Sequence, residues 1–193
     1  FSYMIEIDVH NKDTIKTALR VIGKGGVIIY PTDTLYGFGV DAANDNAIEK
    51  LNSIKGRSGP LSVLAPDETT ALSWANISLN EAEIIRPHLS GYSTMIYKVV
   101  NNIVSHKILG NDHSLGVRIP HHTFCNELSK LYPHPITTTS VNRHGGTALN
   151  DPKSILKEFR AEIDLFINSG RLIGNKGSSI YQLDHGKLIQ LRS

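Results

Sequence analysis

Cysteine is nearly missing from this chain: Cys125 is the single one in 193 residues. An internal disulfide and a cysteine-rich zinc site are therefore excluded. A lone thiol fits a reducing compartment, and a cytoplasmic setting is expected. No apolar run approaches the roughly 18 residues that a membrane span needs, and no signal-peptide pattern opens the chain. An opening Phe rather than Met is expected of a stretch inside a longer precursor. Charge of one sign is also scarce. Lys and Arg number 20 against 18 Asp and Glu, a net +2. The pI near 8.6 permits a nucleotide or nucleic-acid partner without demanding one. There is no Lys/Arg block, no aromatic-basic RNA motif, no repeat and no low-complexity tract. Hydrophobic content of 40% and charged content of 20% describe a chain able to build an ordinary core. A single domain over residues 1–193 is expected.

What is present is organised around residues 25–64. The apolar run Val27–Tyr30 reads as a central strand. A hydroxyl-rich loop follows, Pro31-Thr32-Asp33-Thr34, and then a strand over Leu35–Asp41. A helix capped by Asn44 or Asp45 carries Ala47, Ile48, Leu51 and Ile54 on one face and ends in Lys55-Gly56-Arg57. Further strands are predicted at 4–9, 61–65, 94–100, 115–119, 135–140, 165–168, 178–183 and 187–191. The last two form a hairpin through Asp184-His185-Gly186. Helices are predicted at 11–23, 67–74, 79–89, 121–131 (Phe124, Leu128 and Leu131 inward) and 151–160. Strands and helices interleave without strict alternation. The fold class is α/β with a mixed, twisted sheet.

Several stretches carry chemistry. Lys55 and Arg57, one glycine apart, suit a phosphate chain, although a helix end attracts cations in any case. A lysine at a helix end is expected to contribute little packing. Thr32, Asp33 and Thr34 stand beyond a strand end, where ligands of open α/β sheets gather. Asp33 is a candidate to position a hydrated magnesium ion, but it lacks the carboxylate partners of a metal cage. Arg118, alternating with Gly116 on one strand face, needs an anion if buried. A substrate carboxylate or an internal Asp or Glu would serve, and the internal partner is the plainer reading. Thr138, Ser140 and Asn142 share one parity, so an extended segment presents three polar groups on one side. Gly170–Ser179 is phosphate-friendly but is not a Walker motif. His121-His122 reads as a solvated helix start, the other histidines lack metal spacing, and Cys125 reads as core.

The ordered set GGVIIYPTDTLYGFGVDA, KGR, PLSV, LGVRIP, TTTSVN and GSSIYQL…LR resembles the YrdC/TsaC family, the threonylcarbamoyl-AMP synthases, over nearly the whole chain. The resemblance implies a YrdC-like twisted open sheet with flanking helices around a deep basic cavity. It implies a reaction that joins L-threonine, bicarbonate or CO2 and ATP into threonylcarbamoyl-AMP and pyrophosphate. A separate transferase would then carry the group to tRNA. Mg2+ would accompany the ATP. Lys55 and Arg57 match the family's Lys-x-Arg at the ATP phosphates and are expected to be catalytic. Ser140 and Asn142 match its Ser-x-Asn on the ATP side. Thr32, Ser62, Arg118, Thr138 and Ser178 fall at the threonine pocket, and Ser114, Ala148 and Arg192 fall where members touch ATP. The alternatives are an RNA-binding module and a nucleotide-binding relative without synthase activity, so weak RNA binding is a partner to test.

The chain also departs from the family pattern. The loop after Arg57 is two or three residues shorter than in many members. Gly91-Tyr92-Ser93-Thr94 stands for their Gly-Pro-Leu-Thr, and Leu64 stands for a histidine of some. The extra C-terminal domain of longer members is not expected after Arg192, so site closure is expected from within the domain, or the site is open.

Overall fold

The computed structural model describes residues 3–174 and 176–193. Among the described residues ten strands form one mixed sheet: β1 (Ile5–Asp8), β2 (Ile28–Tyr30), β3 (Gly37–Gly39), β4 (Ser62–Leu64), β5 (Ser93–Lys98), β6 (Ser114–Arg118), β7 (Ile136–Ser140), β8 (Leu165–Asn168), β9 (Ser179–Asp184) and β10 (Lys187–Arg192). Their order is β1-β8-β2-β3-β7-β4-β6-β5-β9-β10. Parallel pairs (β1/β8, β2/β8, β4/β6, β5/β9) mix with antiparallel ones (β2/β3, β3/β7, β4/β7, β5/β6, β9/β10). The mixed sheet expected from the interleaving is present. No helix among the described residues is long and apolar enough to cross a membrane.

The α-helices of the described residues flank the sheet: α1 (Thr14–Gly23), α2 (Asp45–Lys55), α3 (Glu68–Ser73), α4 (Leu79–Ile85), α5 (Thr123–Leu131) and α6 (Pro152–Phe159). Four of the starts carry side-chain caps, while α1 and α5 have none. The side chains of Asn44, Asp67 and Asp151 accept from the backbone N–H groups of Ala47, Thr70 and Ser154, and Ser78 and Glu81 form a reciprocal capping box. The helix read over 79–89 breaks after Ile85 into a short 3-10 turn, Arg86–His88. Pro87 lacks the N–H that would continue it. Leu131, read as inward, is 54% exposed, because the last turn of α5 runs past the sheet while Phe124 and Leu128 stay buried.

Register decides which residues share a face. Ser62 pairs with Thr138, and Leu64 pairs with both Ile136 and Arg118. Side chains alternate along a strand. Ser62, Leu64, Gly116, Arg118, Ile136 and Thr138 therefore point the same way. On this face the α1 and α5 side chains Ala18, Ile22, Phe124, Cys125 and Leu128 pack with Ile28, Tyr30, Leu64 and Ile136. On the opposite face α2, α3, α4 and α6 cover a larger core through Ile48, Leu51, Ala71, Ile85, Ile155 and Phe159. There Phe38 meets Phe159 edge-on at 5.1 Å between centroids, a geometry worth about 0.5–1.5 kcal/mol beyond its burial. α1 and α5 cover only part of their face, and the polar remainder becomes a cavity.

Candidate functional site: a cavity lined by hydroxyls and arginines

The cavity measures about 390 Å³ and lies against the ends of β7, β4, β6 and β5. Thr32, Arg57, Ser62, Arg118, Thr138, Ser140, Ala148, Ser178 and Arg192 all line it. Segments far apart in sequence meet here because the strand order places β7, β4 and β6 side by side. Glycines make the room. A Cβ on Gly116 would collide with Ser62 Oγ, and one on Gly37 would press on Thr138 Oγ1 at 3.4 Å.

The turn after β2 is knotted by one hydroxyl. Thr32 Oγ1 donates to the Leu35 carbonyl at 2.6 Å and accepts from the N–H groups of Thr34 at 3.1 Å and Leu35 at 3.2 Å. The Cys125 thiol donates to the Pro31 carbonyl at 3.2 Å, anchoring the turn to α5. Burial raises that thiol's pKa, so Cys125 is core, as read, and not a nucleophile.

Asp33 lies elsewhere than expected. It forms an ion pair with Arg118 and accepts from the His121 N–H at 2.8 Å, and it is not among the lining residues. A carboxylate so engaged is not placed to position magnesium. Among the described residues no group of three or more His, Cys, Asp or Glu side chains is arranged to hold a metal. Arg118 thus has the internal partner that was the plainer reading, yet it also faces the cavity. Its Nη1 lies 3.4 Å from Thr32 Oγ1, and its buried Nε has no hydrogen-bond partner.

The Lys55-Gly56-Arg57 turn separates its two cations. Gly56 takes the left-handed conformation at φ 71°, and the N–H groups of Gly56 and Arg57 return to the α2 carbonyls of Ser53 and Asn52. This end reverses the chain. Arg57 reaches the cavity wall, its Nη2 donating to the Pro60 carbonyl at 3.2 Å. Lys55 turns inward instead and is only 3% exposed, so the expectation of little packing fails. Its Nζ donates to the Ser140 carbonyl at 2.5 Å and to Asn142 Oδ1 at 3.2 Å, 5.4 Å from the centroid of the Phe38 ring. Burial, helped by nearby Arg57, lowers its pKa to about 8.

Asn142 lies past the end of β7, outside the lining. Its Oδ1 also accepts from Ser140 Oγ at 2.7 Å, and its Nδ2 donates to the carbonyls of Arg143 and Gly146. It ties the loop that brings Ala148 to the wall. Ser114 also lies outside the lining. It is buried on the same strand face as Arg118, beside Gly110, where an added Cβ would meet its Oγ at 2.8 Å. Of the Gly170–Ser179 loop, Asn175 falls outside the described residues. Gly177 and Ser178 face the cavity, and Arg192 donates to the Ser178 carbonyl through Nε at 2.9 Å and Nη2 at 2.7 Å.

Sequence reasoning missed Thr94. Its Oγ1 lies 2.6 Å from Ser178 Oγ, and it lines the cavity. Its match to the last residue of the family's Gly-Pro-Leu-Thr was the signal that could have found it. His122, read as solvated, is half-buried, and burial lowers its pKa. Electrostatically the wall is one-sided. It holds the guanidiniums of Arg57, Arg118 and Arg192, with no carboxylate among the described lining residues. Burial and then the neighbouring Arg118 lower the pKa of Arg192. An anion in the cavity would oppose this shift through its charge.

The Sua5/YciO/YrdC family model, which carries the description "Telomere recombination", matches residues 20–193. The chain belongs to this family. A Methanocaldococcus jannaschii protein named "Putative threonylcarbamoyl-AMP synthase" is 32% identical over 195 residues, covering 98% of this chain and 91% of its own. The uncharacterized Escherichia coli protein YciO is 26% identical over 184 residues, covering 94% of this chain and 89% of its own. P. abyssi Sua5, solved in complex with L-threonine, superposes with a TM-score of 0.85 at 25% identity. That match covers 98% of this chain but 56% of Sua5, so this chain spans little more than half of that relative.

Proposed function

We propose that this Sua5/YciO/YrdC member is an L-threonylcarbamoyladenylate synthase acting in the cytoplasm. Bicarbonate or CO2 converts the threonine amine to a carbamate. A carbamate oxygen then attacks the α-phosphorus of ATP, the bond to the β-phosphate oxygen breaks, and pyrophosphate leaves. A downstream transferase would take the product to tRNA. The observation that carries the reading is Arg118: a guanidinium in the cavity wall, among the hydroxyls of Thr32, Ser62, Thr138 and Ser178. A threonine carboxylate would accept charge-assisted hydrogen bonds from such a wall.

The reaction asks little acid–base chemistry of the protein. Positioning and charge stabilisation dominate such transfers, and the wall offers hydroxyls and guanidiniums for both. Arg57 and Arg192 would bear on the phosphates. Lys55 would hold Ser140 and Asn142 in place from behind, with its charge felt through the wall. No described residue of the wall is a carboxylate for a resident metal, so Mg2+ is assigned to the ATP substrate, held by phosphate oxygens and water. Reading the threonine hydroxyl by hydrogen bonds rejects analogues lacking it, whereas serine, lacking one methyl, should be rejected only about 10–200-fold.

The test is pyrophosphate release from MgATP with threonine and bicarbonate each added or omitted. Release that needs both, with a threonylcarbamoyl-AMP product, supports the synthase. A second reading, a nucleotide-binding relative without synthase activity, is favoured by the placement of Lys55, Ser114 and Asn142 outside the lining. ATP binding without release would support it. RNA binding with a steep salt dependence and no need for ATP would point instead to a nucleic-acid module.

A further inference from the structure

The last turn of an α-helix leaves its carbonyls without partners inside the helix. In α2 those of Asn52 and Ser53 are met by the N–H groups of Gly56 and Arg57. The next two are met from far along the chain. The Lys55 carbonyl accepts from the His144 N–H at 2.7 Å, and the Ile54 carbonyl accepts from Arg143 Nη1 at 2.6 Å. Asn142 Oδ1, one residue earlier, takes Lys55 Nζ. Three consecutive loop residues therefore hold the end of α2, the end that delivers Arg57 to the cavity wall. Arg143 fixes this loop in turn. Its guanidinium donates to both oxygens of Glu162, through Nη1 at 3.0 Å and Nη2 at 2.5 Å. It also donates to Glu158 Oε1 through Nε at 2.8 Å and to the Glu158 carbonyl through Nη2 at 3.2 Å. With Ile54, all five N–H donors of the guanidinium are engaged. The group lies over Phe159, 4.5 Å from its centroid, and Phe159 meets Phe38, the ring beside Lys55 Nζ. Both glutamates are exposed, and exposed ion pairs alone contribute little. What this cluster supplies is geometry: a rigid planar fork that ties α6 to the end of α2.

Resting on the reading above, we propose that Arg143 is a positioning residue for the phosphate side of the cavity. It is not among the described lining residues and does not touch the ligand. It acts through the end of α2, fixing where Lys55 and Arg57 place their charges. The amino-acid side is held by other means: Thr32 by its own turn, Arg118 by Asp33 and Ser178 by Thr94. Loss of Arg143 is therefore felt by the phosphates and not by the amino acid. A lysine in its place keeps the charge but cannot reproduce the planar fork.

The test is calorimetric titration of MgATP and of L-threonine, each alone, into wild type, Arg143→Met, Arg143→Lys and Glu162→Gln. Arg143→Met should lose at least tenfold in MgATP affinity while threonine affinity stays within twofold. Arg143→Lys should recover part of that loss. Glu162→Gln, which loosens the fork from α6, should show a smaller loss with the same selectivity. Equal losses for both ligands in Arg143→Met, or an unchanged MgATP affinity, would mean an ordinary structural staple and overturn the proposal. If Arg143→Met does not fold, Glu162→Gln decides, and a variant without selective loss of MgATP overturns the proposal. Wild type that binds both ligands yet releases no pyrophosphate sinks the synthase reading alone. Wild type that releases pyrophosphate, beside Arg143 variants with no selective loss, sinks the positioning role alone. Wild type that binds no MgATP sinks both.

Discussion

One face of the sheet divides into two regions built from the same strands. Along β7, Ile136 lies under α5 while Thr138 and Ser140 face the cavity. Along β4, Leu64 is core while Ser62, two residues earlier, is cavity wall. A helix covers one region and none covers the other. The covered region is held by volume and close packing, so its residues tolerate loss of atoms poorly. The open region is held by pairing: Asp33 with Arg118, and Thr94 with Ser178. The difference shows how a strand only five residues long contributes to a core and to a site without changing conformation.

The sharpest way to break this division is Arg118→Ala. It strands Asp33 as a buried unpaired carboxylate, which should cost about 3–5 kcal/mol. Urea denaturation should show that loss, and kinetics should show the threonine requirement rising more than the ATP requirement. Equal rises in both would count against a carboxylate contact. The matching change in the covered region is Leu128→Ala, expected to cost about 2–5 kcal/mol through a cavity. It should leave both substrate requirements unchanged. A shift in either would mean that the regions are not separable.

Lys55→Ala should be milder, about 1–3 kcal/mol, since it removes the Nζ donor of the Ser140 carbonyl and leaves Asn142 Oδ1 with Ser140 Oγ alone. Pyrophosphate release should fall far more than stability does. Lys55 also predicts a pH dependence. Its pKa falls from 10.5 to about 8, so between those values the unfolded chain binds the extra proton. Stability from this group therefore rises with pH across that window, and its cost is fully present below pH 8. ATP-dependent activity should move the other way, declining as pH rises through 8 and the charge is lost. Denaturation at pH 7 and pH 9 should show the stability gain in wild type and not in Lys55→Met. The smallest effect is expected from Thr94→Val, about 1 kcal/mol or less for one hydroxyl pair. Threonine affinity should weaken with ATP affinity unchanged. Unaltered threonine affinity would place Ser178 outside the amino-acid pocket.

Local pattern made much of this legible. Apolar spacing, alternation and caps between them mark the strands and helices of the described residues, because side-chain period and capping chemistry act over a few residues. Thr32, Ser62, Arg118, Thr138 and Ser178 could be named because the order of the short motifs resembles a family. Other features depend on which strands become neighbours. The partner of Arg118 lies 85 residues away at Asp33, and that of Thr94 lies 84 residues away at Ser178. Lys55 is the clearest case. The sequence by itself determined that a lysine ends α2 at a glycine turn, because Gly56 accommodates positive φ. Only the tertiary structure decided that this lysine is buried, shifted in pKa and bonded to the end of β7. The reason is physical: turn geometry is set by adjacent residues, whereas desolvation is set by whatever the rest of the chain packs on top.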